Sequence, residues 1–153
     1  MKKIKKSIMG LLITSALIML LSVPVFAGNT VDTRYTFNFS ANSNYTSARQ
    51  KQDDSSCYMY YNNGTLSFTA SVYGTYTTGT NIPHYDCSHG YHYSFTSNHE
   101  KRFLYQYVHD DGNSYYPYAS IRGEATGYGT CKGYWSPDSV YEANVKSASD
   151  FIP

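Results

Sequence analysis

The sequence predicts a small all-β domain, an antiparallel β-sandwich with at most one or two short helices. Three observations point to it. The chain carries 18 tyrosines and 7 phenylalanines in 153 residues, all the tyrosines beyond residue 27, whereas leucine and isoleucine there are limited to Leu66, Leu104, Ile82, Ile121 and Ile152. Aromatic and β-branched side chains suit a pleated, half-buried surface, and an interior made chiefly of Tyr, Phe, Val and Ala is poor material for a helical bundle. Apolar residues also recur every second position over short runs, the period of a half-buried strand. Clusters of Gly, Asn, Asp, Ser and Thr separate these runs, as turns do.

Residues 1–27 differ in character. Four lysines (Lys2, Lys3, Lys5, Lys6) precede an apolar stretch from Ile8 to Leu21, and Pro24-Val25-Phe26-Ala27 follows. Short side chains at Val25 and Ala27 suit a signal peptidase, and the stretch is shorter than the ~20 residues of a membrane span. The expectation is a cleaved export signal, a secreted product without a stable membrane span, and one domain over residues 28–153.

Removing the signal leaves eight Lys and Arg against eleven Asp and Glu, so a formal +1 chain becomes acidic. Nucleic acid is thereby an unfavoured partner, since it recruits basic surfaces.

Taken in order, Thr33–Ser40 alternates Tyr35, Phe37 and Phe39 against polar residues and predicts a strand. Residues 41–56 read as a loop. Residues 56–73 predict a hairpin about Asn63-Gly64, the dipeptide of a type I′ turn. That register places Cys57, Met59, Tyr61, Leu66, Phe68, Ala70 and Val72 on one apolar face. Tyr58, Tyr60 and Tyr73 then share the other. Residues 74–90 form a long connection and 91–96 a strand. Residues 99–109 fit a helix slightly better than a strand. Strands follow at 119–122 and 127–135, and 137–147 is readable either as a helix opened by Ser136-Pro137 or as a strand.

Three cysteines would enter an oxidising compartment. Cys57 belongs to the apolar face, which leaves Cys87–Cys131 as the expected disulfide. The run from His84 to His92 is dense in metal-binding side chains. His84, Cys87, His89 and His92 are the candidate ligands for zinc or copper, but their spacing matches no closed tetrahedral framework, and a polar loop is the plainer reading. No other cofactor is implied.

Catalytic motifs are absent. There is no Gly-x-Ser-x-Gly elbow, no His-Glu-x-x-His and no phosphate-binding glycine loop. Asp53-Asp54 and Asp110-Asp111 are sequence neighbours whose side chains point apart on an extended chain, and they read as solvated turns. The expectation is therefore no enzyme. A non-catalytic binding module is favoured, in which Tyr58, Tyr60, Tyr73 and Trp135 contact a cell-envelope carbohydrate or protein surface. Whether a second sheet covers the tyrosine face is open. A bacteriocin-like or toxin-like effector and a metal-binding protein are the alternatives.

The order of Tyr35-Thr-Phe37-Asn38-Phe39, Ser47-Ala-Arg49-Gln-Lys51, Ser55-Ser56-Cys57-Tyr58-Met59-Tyr60 and Gly133-Tyr134-Trp135-Ser136-Pro137-Asp138-Ser139-Val140 resembles a family of small secreted Gram-positive bacterial proteins catalogued only as a domain of unknown function. The resemblance implies a single exported domain and no established activity or catalytic residues. Dependence on cysteine is not implied, which makes the three cysteines and the histidine loop departures from the family pattern.

Overall fold

The computed structural model describes residues 28–40, 43–79, 81–110 and 116–150, and the expected export signal lies outside them. Ten strands and no helix occur among the described residues: β1 (Thr33–Ser40), β2 (Asn44–Tyr45), β3 (Arg49–Gln50), β4 (Cys57–Gly64), β5 (Phe68–Thr75), β6 (Tyr85–Asp86), β7 (Tyr93–Phe95), β8 (Glu100–Leu104), β9 (Tyr118–Glu124) and β10 (Tyr128–Ser136). They form two antiparallel sheets. The first has four strands in the order β1-β10-β4-β8. The second runs β2-β9-β5-β6, with β3 also on β9 and β7 also on β5. This is the expected all-β sandwich.

Each long strand sends alternate side chains inward, as the pleat requires. Tyr35, Phe37 and Phe39 of β1, Cys57, Met59 and Tyr61 of β4, Phe68, Ala70 and Val72 of β5, and Ala119 and Ile121 of β9 meet in one core. Aromatic rings stitch the two sheets: Phe68, stacked on Phe95 of its own sheet at 4.9 Å, meets Tyr61 edge-on at 5.1 Å and Phe37 edge-on at 5.7 Å across the core.

The expected hairpin is not formed. β4 pairs with β10 and β8, whereas β5 pairs with β6, β7 and β9 in the other sheet. A type I′ turn needs positive φ at both central residues, and neither Asn63 nor Gly64 has it. β4 instead runs straight through Gly64. A Cβ there would sit 2.8 Å from the Thr130 carbonyl oxygen, so Gly64 serves a close approach of backbones. Residues 65–67 then carry the chain across the sandwich. The inward faces of β4 and β5 are nonetheless those the alternation predicts, because both strands look into the same core from opposite sides.

Three other expectations change. Residues 99–109 contain β8, not a helix: pairing with β4 aligns Tyr58 with Phe103 and Tyr60 with Lys101. β8 turns Glu100 and Arg102 toward the interior, where they pair at 2.9 Å, a device that blunts an edge strand. The expected loop at 41–56 contributes β2 and β3, which cap β9. Residues 137–147 form neither helix nor strand beyond a single parallel bridge between Arg102 and Lys146.

No disulfide joins Cys87 and Cys131, and all three cysteines are buried thiols. Cys131 lies in the first sheet, its thiol 3.4 Å from the Leu66 carbonyl oxygen. Cys87 lies against the second, its N–H donating to Val72. Burial pushes the Cys57 thiol up to about 12, where thiolate chemistry is suppressed. A thiol reagent is therefore expected to find no fast-reacting cysteine in the native protein and three after denaturation. Addition of reductant should leave the melting temperature unchanged. A rapidly labelled native thiol, or fewer than three in denaturant, would contradict this arrangement.

Candidate functional site

The four strands of the first sheet each place one side chain in a single row on its outer surface. Arg34 on β1 pairs with Tyr134 on β10, Tyr134 with Tyr60 on β4, and Tyr60 with Lys101 on β8. The Tyr60 and Tyr134 rings are within 14° of parallel with centroids 6.3 Å apart. Arg34 lies over the Tyr134 ring at 5.8 Å from its centre, a cation–π contact that orients the guanidinium. The Tyr60 hydroxyl shares a hydrogen bond of 2.9 Å with His99 Nδ1. The result is a flat aromatic platform with a cation at each end.

Gly133 makes this platform possible. Between Lys132 and Gly133 the β10–β4 register slips by one residue, leaving Asn62 as a bulge. A Cβ on Gly133 would collide with the Tyr60 carbonyl oxygen and lie 2.8 Å from the Tyr35 ring. Glycine alone lets β10 lie this close, and it fixes the pairing of Tyr134 with Tyr60 one residue later.

Two concavities flank the row. One, of about 340 Å³, is lined by Asp32, Tyr58, Lys101, Phe103, Ser136 and Glu142 among others. Burial raises the Asp32 carboxyl, against opposing hydrogen bonding from Ser136 and the charges of Arg49 and Lys101. Lys101 pairs with Glu142 at 2.7 Å. The other concavity, of about 400 Å³, is lined by Arg34, Thr36, Asn62, Lys132 and Tyr134 with Tyr35 and Gly133 beneath. The first is acidic and aromatic, the second basic and rich in hydrogen-bond donors.

Of the aromatic residues expected to share one binding face, the structure brings together only Tyr58 and Tyr60. Tyr73 belongs to the outer face of the other sheet and is nearly buried there. Tyr45 packs edge-on against it at 5.5 Å and the Arg122 guanidinium donates to its hydroxyl at 3.0 Å. The shared face followed from the hairpin register, so Tyr73 left with the hairpin. Trp135 is 1 % exposed and points into the core, with the Arg49 guanidinium 5.5 Å from its ring centre. Its neighbour Tyr134 points outward for the same reason, since consecutive strand residues face opposite ways. Sequence reasoning chose the wrong member of the Tyr134-Trp135 pair, and it missed Arg34 and Phe103 altogether. The available signal was the alternation of β10: with Cys131 and Gly133 inward, Trp135 must follow them.

The candidate metal ligands do not converge. His84 stacks on Tyr45 at 3.8 Å and its Nδ1 shares a hydrogen bond with Ser120. Cys87 is buried, His89 stacks on Tyr107, and His92 Nδ1 approaches the Gly90 carbonyl at 3.1 Å. Among the described residues no three His, Cys, Asp or Glu side chains are grouped to hold a metal ion. A loop residue with positive φ, His89 at 48°, turns the run so that its side chains scatter.

Asp53, read as a solvated turn residue, is half-buried. It accepts from Ser55 and lies 3.7 Å from Lys51. Sequence reasoning also missed the fully buried pair of Lys51 and Asp138 at 2.6 Å. It is fully buried and joins the segments of Asn29, Gln52 and Ser55 to Asp138. No described helix is long and apolar enough to cross a membrane.

A protein-family model described as a protein of unknown function (DUF2712) matches residues 23–139. No curated protein and no solved structure matches the chain.

Proposed function

As the chain belongs to the DUF2712 family of proteins of unknown function, we propose a function from its own surface: it is an exported, non-catalytic module that binds envelope carbohydrate across the outer face of the first sheet. The observation that carries this reading is the pair of nearly parallel rings of Tyr60 and Tyr134 in a row bounded by Arg34 and Lys101. Sugar rings present apolar faces edged with hydroxyls. Flat aromatics take the faces at little entropic cost, and flanking polar side chains take the hydroxyls. Asn62, Thr36, Ser136 and Lys101 supply such groups along the two flanking concavities. Tyr58 and Phe103, 6.1 Å apart, extend the apolar floor toward the acidic end.

Cosedimentation with purified bacterial cell walls tests the reading. The protein is expected to bind, and Tyr60→Ala with Tyr134→Ala to weaken binding at least tenfold while the circular dichroism spectrum is unchanged. Tyr85→Ala serves as the control, because Tyr85 is 41 % exposed and lies on β6 of the second sheet, away from the row. Undiminished binding by the double variant, or no binding by the parent protein, would overturn the proposal.

A further inference from the structure

Basic side chains are scarce in residues 28–153, and most are already engaged. Lys51 pairs with Asp138, Lys101 with Glu142, Arg102 and Lys146 with Glu100, and Arg122 with Glu124. The Arg49 guanidinium donates to Asn29, Thr33 and the Trp135 carbonyl. Arg34 and Lys132 are different: among the described residues no carboxylate lies within ion-pair distance of either. Both are exposed, and both line the same concavity of about 400 Å³ beside Tyr134. Strand pairing makes them diagonal neighbours, Arg34 opposite Tyr134 and Lys132 opposite Thr36, a spacing at which long side chains reach one another's surroundings. Two like charges held this close without a counter-charge repel, and an anion between them relieves both.

We propose that this concavity is a subsite for a phosphate group carried by the bound glycan. Four donor-bearing side chains surround it: the Arg34 guanidinium, the Lys132 ammonium, the Thr36 hydroxyl and the Asn62 amide. The guanidinium, oriented by its contact with the Tyr134 ring, offers paired N–H groups to two oxygens of a tetrahedral anion, and the ammonium supplies a mobile point charge. A planar carboxylate offers two oxygens and one charge to these donors, whereas a tetrahedral phosphate offers three oxygens and a larger charge to the two cations. The carboxylates of this face, Asp32 and Glu142, lie in the other concavity, so the charge pattern sets a direction. The phosphate sits toward β1, the sugar spans Tyr134 and Tyr60, and the opposite end approaches β8.

The inference rests on the glycan reading of this face, and the two can fail separately. Titration of the purified protein, followed by backbone amide shifts in NMR, would use glucose 6-phosphate, glucuronate and glucose as probes. Saturable shifts centred on Arg34, Thr36, Asn62 and Lys132 are expected with glucose 6-phosphate, at least tenfold tighter than with glucuronate. Arg34→Gln with Lys132→Gln should weaken them at least tenfold while cell-wall binding through Tyr60 and Tyr134 persists in reduced form. Equal affinity for glucuronate, shifts placed elsewhere, or an unaffected double variant would overturn the subsite and leave the tyrosine platform standing. Loss of cell-wall binding by the parent protein would instead strike the glycan reading itself.

Discussion

Gly133→Ala is expected to destabilise the protein by roughly 3 kcal/mol or more, the upper end of overpacking costs. The added methyl would meet the Tyr60 carbonyl oxygen, a backbone atom in the neighbouring central strand, and the Tyr35 ring at 2.8 Å. Backbone in the middle of a paired ladder cannot step aside as a flexible side chain can. Gly127→Ala provides the contrast, since the nearest atom there is a Leu66 methyl at 3.2 Å, and a change under ~1 kcal/mol is expected. Chemical denaturation of the two variants decides the matter. For a domain of this size the Gly133 variant should also melt on the order of 10 °C lower. Equal stability of the two variants would show that β10 and β4 do not approach as described. Because the same glycine fixes how Tyr134 meets Tyr60, any Gly133→Ala protein that does fold should also lose cell-wall binding.

Lys51→Met should be comparably severe, at ~3–5 kcal/mol, the cost of leaving a buried charge without its partner. Asp138 accepts from Lys51 at 2.6 Å and from the backbone N–H groups of Asn29 at 2.5 Å and Gln52 at 3.1 Å. The Lys51 ammonium also donates to the Ser55 carbonyl at 2.5 Å. One carboxylate thus ties the start of the domain and the segment after β3 to the segment that follows β10. Removing the ammonium leaves that fully buried carboxylate without its counter-charge. Asp138→Asn should cost a similar amount by stranding the ammonium. The double variant, Lys51→Met with Asp138→Asn, should be destabilised by less than the sum of the single changes, because neither charge remains. Denaturation of all four proteins closes the cycle, and additive effects would show that the two charges do not act as a pair.

These two sites illustrate different limits of sequence reading. Gly133 was visible only as a glycine in a strand, and nothing local said that a carbonyl from residue 60 would press on it. Lys51 and Asp138 are 87 residues apart, and each had an unremarkable polar context. The aromatic platform was half legible. Tyr58 and Tyr60 were placed outward from the alternation of β4, but the partner ring on β10 depended on a pairing 74 positions along the chain. The Cys87–Cys131 bridge was an inference by elimination, and it is not formed: Cys131 lies in β10 of the first sheet, Cys87 follows β6 at the second, and each is buried as a separate thiol.

By itself the sequence determined the composition of the core, the all-β class and the inward faces of β1, β4 and β5: Phe37 and Phe39 in β1, Met59 and Tyr61 in β4, Ala70 and Val72 in β5. Those properties have a period of two residues and are written wherever a strand is written. Only the tertiary structure decided which strands are neighbours. It turned an Asn-Gly hairpin into a corner between sheets, separated Tyr73 from Tyr58 and Tyr60, sent Trp135 inward and Tyr134 outward, and buried Lys51 against Asp138. Such choices are settled by contacts between segments far apart in the chain, where backbone pairing and the filling of a shared core outweigh the preference of any single turn.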